Sequence, residues 1–345
     1  MKYRTLGKTG LKISEIGMGT WGLAGKPWGW EAPDETESLR ALHRFVELGG
    51  NFIDTAWVYG RVDEPGVHSA EELIGKFINE SGSRDKVIIA TKIPGKNRKW
   101  PAWQGVPISE VFPNDYIEEM VDSSLKSLNI ETIDLMQFHV WQDDFVKEDG
   151  WKKTIQKITK AGKVKFWGIS INDYQPSNCL KTLDTGLISS IQLIFNIFHQ
   201  RPITRLFPYA KANNIGLIAR VPLDEGGLTG KLTLKTQFKD PLHSVYFSQE
   251  RLKEVVPRVD ALKKLLDGEA KNLPELALRF ILSFSEISVA IPGSRKVANV
   301  EANASISDNR KLSDSLLEEL KKHAWERNFY VNLDPAMENV GFVEP

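Results

Sequence analysis

Four titratable side chains stand at, or just after, the ends of three successive strand-like segments. Asp54 ends "NFID" and Tyr59 follows it in "TAWVYG". Lys92 ends "VIIATK" and His139 ends "LMQFH". Taken singly, each has an ordinary explanation as a helix cap, a half-buried aromatic, a solvated cation or a satisfied core histidine. A lysine inside an otherwise apolar run is unusual, however, and the four residue types together indicate a reaction centre.

The chemistry that suits these residues is protonation of a carbonyl oxygen while a second group attacks the carbon. The pKa of an isolated tyrosine is about 10, and we expect Lys92 to lower that of Tyr59 toward neutrality because an ammonium favours the phenolate. Asp54 would pair with Lys92 and compensate its buried charge. A neutral His139 would orient the substrate oxygen. The alternative is a lyase that uses Lys92 as a Schiff-base nucleophile.

Eight strand-like segments separated by amphipathic helical segments must position these residues. They are residues 13–20, 51–56, 87–93, 134–140, 166–171, 191–197, 215–222 and 287–293. This alternation predicts an α/β fold of the (β/α)8 TIM-barrel type, in which adjacent strands bring their C-terminal ends within about 5 Å of each other. A doubly wound sheet is the rival fold, and the unbroken run of eight units disfavours it.

The sequence also predicts the long loops, the number of domains and two helix starts. Long loops are predicted after strands 3, 7 and 8, where barrel enzymes keep their chemistry: residues 94–113, 223–247 and beyond 294. No linker divides the chain, which predicts one domain over residues 1–345 with C-terminal helices and a tail from about residue 310. Asp34 with Glu37, and Ser69 with Glu72, have capping-box spacing at predicted helix starts.

Charge and cysteine content favour a small-molecule partner. Lys plus Arg equals Asp plus Glu, at 45 each, so nothing favours nucleic acid or a membrane surface. The single cysteine, Cys179, excludes an intrachain disulfide and a multi-cysteine metal site, and no metal is predicted. The N-terminus has no apolar targeting segment, and we expect a cytoplasmic protein. The oligomeric state stays open, a monomer included.

The segment "GMGTWG" at residues 17–22 matches G-x-G-x-x-G, the fingerprint of Rossmann dinucleotide sites. That fingerprint requires a helix directly after the strand and an acidic strand end about 20 residues later. Here the chain continues as "LAGKPWGWEAPDE", which contains glycines, prolines and tryptophans but no helix start until its end. We therefore interpret the segment as the end of the first barrel strand.

The chain resembles the aldo-keto reductase superfamily over nearly its whole length. The resemblance rests on "YRTLGKTGLKISEIGMGTWGL", on "GGNFIDTAWVYG" followed by "SAEELIGKF", and on "ATKI", "LMQFHVW", "WGISI", "IQLIFN", "LTGK" and "IPGSR" in family order. It implies an N-terminal hairpin, a (β/α)8 barrel, and reduction of aldehydes and ketones to alcohols with NADP(H), NAD(H) being possible. Tyr59 would be the general acid, Lys92 and Asp54 its tuning pair, and His139 the residue that orients the carbonyl.

The resemblance also implies which residues hold the cofactor. Ser170 and Gln192 would bind the carboxamide, but Ile171 stands where the family has asparagine, with Asn172 one place on. Arg220 replaces an aromatic that stacks on the nicotinamide; either its planar guanidinium stacks instead or it is an ion-paired arginine. The full predicted set is Gly19, Thr20, Trp21, Asp54, Ser170, Asn172, Gln192, Arg220, Val221, Leu223, Gly230, Lys231, Gly293, Ser294, Arg295, Asn299 and Asn303.

Two segments of that set would bind the phosphates. "PLDEGGLTGK" resembles a belt over the pyrophosphate, and "IPGSRKVANVEAN" resembles the reader of the adenosine 2′-phosphate. Ser294 and Arg295 suit a phosphate, which favours NADPH.

On the substrate side, Trp21, Trp28, Trp57 and Trp141 are predicted at the mouth, where an aromatic funnel would favour an apolar or aromatic carbonyl. Alternatively, some of these rings pack loops on the rim. A second functional class within the resemblance is a nicotinamide-binding regulatory subunit of potassium channels, with little turnover.

Overall fold

A short antiparallel hairpin opens the chain in the computed structural model, which describes residues 1–23, 34–60, 69–100, 102–103, 105–266 and 268–330. The hairpin consists of β1 (Tyr3–Thr5) and β2 (Lys12–Ser14). Arg4 ties it to main-chain carbonyls near the last barrel strand, those of Leu282, Phe284 and Ile287. The hairpin therefore covers the N-terminal end of the barrel.

Eight parallel strands form one sheet in sequence order. They are β3 (Met18–Gly19), β4 (Phe52–Asp54), β5 (Ile88–Pro94), β6 (Ile133–Trp141), β7 (Val164–Ile171), β8 (Ser190–Ile194), β9 (Gly216–Arg220) and β10 (Ile287–Ala290). Parallel bridges from Ile16 to Ala290 and from Gly19 to Gly293 join the first strand to the last. The predicted (β/α)8 barrel is confirmed, and the doubly wound alternative is wrong.

Helices connect the strands on the outside. Those before β6 are α1 (Glu35–Glu47), α2 (Ala70–Ser81), α3 (Ile108–Val111) and α4 (Asn114–Leu128). Between β6 and β9 lie α5 (Gly150–Lys160), α6 (Leu180–Asp184) and α7 (Leu206–Ala212). The remainder are α8 (Pro241–Tyr246), α9 (Gln249–Lys263), α10 (Leu273–Leu282), α11 (Val297–Ala304) and α12 (Asp314–Lys321). None of the helices in these described ranges is long and apolar enough to cross a membrane.

The predicted helix starts form as local chemistry requires. Ser69 accepts from the main-chain N–H of Glu72, whose carboxylate accepts from the N–H of Ser69, so the capping box is complete. At the start of α1, Asp34 accepts from the N–H of Glu37. Both pairs satisfy main-chain donors that a helix start leaves without partners.

Gly19 of "GMGTWG" packs against the main chain at the seam of the barrel. A Cβ on Gly19 would lie 2.9 Å from the carbonyl oxygen of Ile291, a main-chain atom of the neighbouring segment. A Cβ on Gly22 would meet nothing nearer than the Arg295 side chain, at 3.5 Å. Close approach of two backbones, and not a phosphate-binding turn, explains the glycine at position 19.

We predict that Gly19→Ala lowers the free energy of unfolding by about 1–3 kcal/mol, the usual cost of overpacking. The main chain at Ile291 cannot move aside as a side chain can. Urea denaturation measures the loss, with Gly22→Ala as the matched control that should remain close to the wild type. Equal losses in the two variants would contradict the packing explanation.

Candidate active site

The two-residue period of the strands places the candidate catalytic side chains inside the barrel. An apolar layer near its N-terminal end includes Phe52, Ala90, Leu135, Ile218 and Val289. Two positions beyond the first three of these lie Asp54, Lys92 and Gln137, which are buried and belong to consecutive strands. Because alternate residues of a strand face the same side, polar groups form the next layer toward the C-terminal end.

A buried ion pair forms the centre of this polar layer. Lys92 Nζ donates to Asp54 Oδ2 at 2.7 Å and to the carbonyl oxygen of Thr55 at 2.7 Å, and the side chains of the pair are 0% and 3% exposed. Asp54 Oδ1 accepts from Gln192 Nε2 at 2.6 Å and more weakly from Gln137 Nε2 at 3.5 Å. Both charges are therefore hydrogen-bonded, which a buried pair needs in order to be stable.

Tyr59 lies beside this pair, as predicted, but its pKa moves in the other direction. The Lys92 ammonium is 5.0 Å from the centre of the phenol ring. Burial raises the pKa of Tyr59 above its usual 10, and the opposing effects of Lys92 and Arg220 do not cancel that rise. The expected lowering toward neutrality is therefore wrong for this structure, because desolvation of the phenolate outweighs the attraction of the ammonium. Tyr59 is a neutral phenol that retains its proton.

His139 is neutral, as the sequence predicts. Burial lowers its pKa well below the usual 6.5, and the charges of Lys92 and Arg220 lower it further. Its ring stands edge-on to Tyr59, with ring centres 6.4 Å apart, and edge-on to Trp100 at 4.7 Å. The phenol and a neutral imidazole are thus brought together at the C-terminal end of the barrel.

Two of the residues predicted for the carboxamide have different surroundings. Ser170 is fully buried, and its Oγ has no hydrogen-bond partner among the residues that the structure describes. Asn172 donates from Nδ2 to the carbonyl oxygen of Ala102 at 2.9 Å, and its Oδ1 accepts from the N–H of Ala102 at 2.7 Å. Asn172 therefore anchors the loop that follows β5.

Arg220 is an ion-paired arginine, which is one of the two predicted possibilities. Its Nη2 donates to Asp173 Oδ1 and to the carbonyl oxygen of Ile171. Asp173 also accepts from Trp100 Nε1 at 2.7 Å. Neither the role of Asp173 nor the contact of Trp100 with His139 was predicted from the sequence. The signal available was a polar pair, Asn172 and Asp173, directly after a buried strand.

The loop predicted to cover the pyrophosphate has an unusual backbone. It leaves β9 at Val221, passes Leu223 and a kinked segment over Asp224–Thr229 that is not helical at Glu225 and Gly226, and reaches Gly230 and the exposed Lys231. Gly230 has φ 76° and Val221 φ 53°. The left-handed region suits glycine but is rare for a β-branched residue, so Val221 is held there by its surroundings.

Residues near the C-terminus hold this loop. Asp224 and Glu225 have φ of 54° and 50°. Arg327 pairs with the fully buried Asp224, and the Tyr330 hydroxyl donates to Glu225. A segment about one hundred residues later in the chain therefore fixes the predicted cofactor loop.

The predicted 2′-phosphate segment lies after β10. Ser294 Oγ donates to the carbonyl oxygen of Pro292 and accepts from Asn303 Nδ2 at 3.0 Å. The side chains of Ser294 and Asn303 are both buried. Arg295 is half-buried beside Gly22, whereas Gly293 and Asn299 are exposed.

The first strand ends next to the ion pair. Thr20 donates from its N–H and from its hydroxyl to the main-chain oxygen of Asp54, at 3.0 and 2.9 Å. The Trp21 ring stacks with that of His243 at 6.1 Å. Trp21 is half-buried, and it lies directly beyond the residue that contacts Asp54.

The predicted location of Trp141 at the substrate mouth is wrong. Trp141 is fully buried in the core, where its Nε1 donates to Thr182 Oγ1 at 2.8 Å and its ring stacks on Phe112. The pairing of β6 with β7 shifts register between His139 and Trp141, which turns Trp141 toward the helices. The assignment of Trp141 to the substrate mouth is therefore corrected.

The other predicted tryptophans are Trp57 and Trp28. Trp57 is half-buried, donates from Nε1 to Ser123 Oγ at 2.8 Å, and lies under the Arg98 guanidinium at 4.9 Å. Trp28 lies outside the described residues. Within the described ranges, no group of three His, Cys, Asp or Glu side chains is arranged to hold a metal ion.

Known proteins match this chain over almost its whole length. The family model described as "Aldo/keto reductase family" matches residues 15–324. "Aldo-keto reductase YhdN" of Bacillus subtilis (strain 168) is 32% identical over 328 residues, which is 92% of this chain and 94% of that protein. The solved aldo-keto reductase AKR11C1 from Bacillus halodurans, in its holo form, has TM-score 0.73 at 25% identity and covers 95% of this chain and 99% of its own. The glycerol dehydrogenase AKR11B4 from Gluconobacter oxydans has TM-score 0.72 at 28% identity, over 94% and 95%.

We predict that His139 is neutral at pH 6.5, where an unfolded histidine is about half protonated. Its folded pKa is lowered, so the unfolded state binds more protons in acid and this residue costs stability as the pH falls below about 6.5. Imidazole nitrogen chemical shifts measure the protonation, and His139→Gln identifies the signals. A half-protonated His139 at pH 6.5 would contradict the burial of this ring.

Proposed function

Because the chain belongs to the aldo/keto reductase family of oxidoreductases, we propose that it reduces aldehydes or ketones to alcohols with NADPH. The observation that carries this proposal is the neutral phenol of Tyr59 beside the buried Asp54–Lys92 pair, with the neutral His139 facing it. A proton donor and a group that orients a carbonyl oxygen are the parts that carbonyl reduction requires.

The residues around the ion pair fit a nicotinamide. Ser170 Oγ is a buried hydroxyl without a partner among the described residues, and a carboxamide can complete its hydrogen bonding. Gln192 lies on the neighbouring strand in register with Ser170. When bound, NADPH supplies the hydride, and the protein provides position and electrostatics.

Side chains of the candidate site hold the proton and transfer it to the substrate. Tyr59 holds it on the phenol oxygen, because burial keeps its pKa above that of a free tyrosine. As the proton moves to the carbonyl oxygen, the Lys92 ammonium stabilises the developing phenolate, and Asp54 keeps Lys92 in place. His139 presents an imidazole N–H to the same oxygen and thereby orients the carbonyl.

We predict that Tyr59→Phe lowers turnover of aldehydes about 10²–10⁴-fold, the range for loss of a general acid, while the dissociation constant for NADPH stays unchanged. Steady-state NADPH consumption and a binding titration measure the two quantities. Tyr116→Phe is the matched control, since Tyr116 is also buried but donates its hydroxyl proton to the Pro94 carbonyl. Unchanged turnover of Tyr59→Phe would refute the acid role.

The same assay separates the alternative functions. A panel of aldehydes and ketones is offered with NADPH and NADH side by side. Tight NADPH binding without turnover would favour the regulatory-subunit alternative, and trapping of a carbonyl substrate on Lys92 by borohydride would favour the lyase.

We also propose that Arg295 contacts the adenosine 2′-phosphate, without the Ser294 hydroxyl, whose proton is already donated to the Pro292 carbonyl oxygen. Loss of a hydrogen bond to a charged group costs about 1.5–3 kcal/mol, so Arg295→Ala should raise KM for NADPH about 10–100-fold and leave KM for NADH unchanged. Lys296→Ala removes the adjacent, exposed cation and is the control. An equal loss with both nucleotides would mean that Arg295 does not read the 2′-phosphate.

A further inference from the structure

Asp173 connects two parts of the candidate active site that are distant in sequence. It follows β7, and its side chain is 0% exposed. Its Oδ1 accepts from Arg220 at the end of β9, and its Oδ2 accepts from Trp100 Nε1 at 2.7 Å in the loop after β5. Both oxygens of one buried carboxylate are thus used to hold side chains from opposite sides of the barrel mouth.

One partner of this carboxylate, Trp100, contacts a reacting group, and the other, Arg220, lies beside Trp100. The Trp100 ring is perpendicular to the ring of His139, with 4.7 Å between their centres. The Arg220 guanidinium lies 5.8 Å from the Trp100 ring. A substituent on a carbonyl that His139 orients would therefore meet Trp100 on one side. Arg220 is held by its ion pair with Asp173, and stacking on the nicotinamide is the other role that the sequence allows for it.

We propose that Asp173 is a positioning residue that places Trp100 against the substrate and Arg220 against the nicotinamide. The inference rests on the proposed function, since it takes Tyr59 and His139 as the carbonyl site. It assigns to Trp100 a preference for carbonyl compounds with a flat apolar substituent, because an indole face offers area and little hydrogen bonding.

A purely structural role for Asp173 is separable from this one. The loop that carries Trp100 is already anchored through its main chain, because Asn172 forms two hydrogen bonds with Ala102. Removal of the carboxylate charge therefore leaves the loop attached while it releases the two side chains. Asp173→Asn keeps the shape and one acceptor oxygen, and Trp100→Phe keeps an aromatic ring but removes the N–H.

The experiment compares these variants with benzaldehyde and propanal as probes. Asp173→Asn should raise both the NADPH dissociation constant and KM for benzaldehyde about tenfold or more, the effect of losing a charged hydrogen bond. Trp100→Phe should raise KM for benzaldehyde, leave KM for propanal nearly unchanged, and leave NADPH binding unchanged. In the double variant, Trp100→Phe should add less than it does alone to the KM for benzaldehyde, because Asp173→Asn already weakens the contact that Trp100→Phe removes.

Asp134→Asn is the matched control for a lost buried carboxylate. Asp134 is buried near the start of β6, where it bonds Arg84, Lys165 and the N–H of Ile89. This variant should lose stability but keep the wild-type KM values and NADPH affinity. If Asp173→Asn also changes only stability or kcat, the positioning role is overturned while the proposed function stands. A wild-type chain that reduces no carbonyl compound overturns the proposed function and this inference with it.

Discussion

The buried ion pair of Asp54 and Lys92 is the constraint on which the rest of the site depends. A lysine in the barrel interior is stable only with its charge compensated, and Asp54, on the adjacent strand, provides this at 2.7 Å. The remaining oxygen of Asp54 then requires a donor, which Gln192 supplies. The main chain beside Asp54 is held in turn by Thr20. Strands β3, β4, β5 and β8 are thus tied to one pair of charges.

The residues that form this ion pair can be recognised in the sequence, as can the strands that carry them. A single charge in an apolar run, a carboxylate at the end of the previous strand and a strand period of two are all visible in the sequence. Local features such as the capping box of Ser69 and Glu72 depend on residues only three apart and formed as predicted. Predictions succeeded where one element, or two adjacent strands, determine the outcome.

The failures share a different cause, since each depends on contacts between distant segments. The position of Trp141 follows from a register shift between β6 and β7, which residue types do not reveal. The pKa of Tyr59 depends on how completely its phenol is buried, and this desolvation outweighs the neighbouring ammonium. Asp173 acquires its partners from segments that precede and follow it by 73 and 47 residues.

The backbone conformation of the predicted cofactor loop also depends on contacts between distant segments. Val221, Asp224 and Glu225 all have positive φ, a state that costs of order 1–3 kcal/mol for a non-glycine residue. Such a backbone persists only where other contacts determine it, and here the contacts are the buried pair of Arg327 with Asp224 and the bond from Tyr330 to Glu225. Loss of Arg327 would leave the buried carboxylate of Asp224 without its charge partner, which costs about 3–5 kcal/mol, so the turn and the C-terminal segment depend on each other. The conformation of this loop is therefore stabilised by residues that follow the last barrel strand in the sequence.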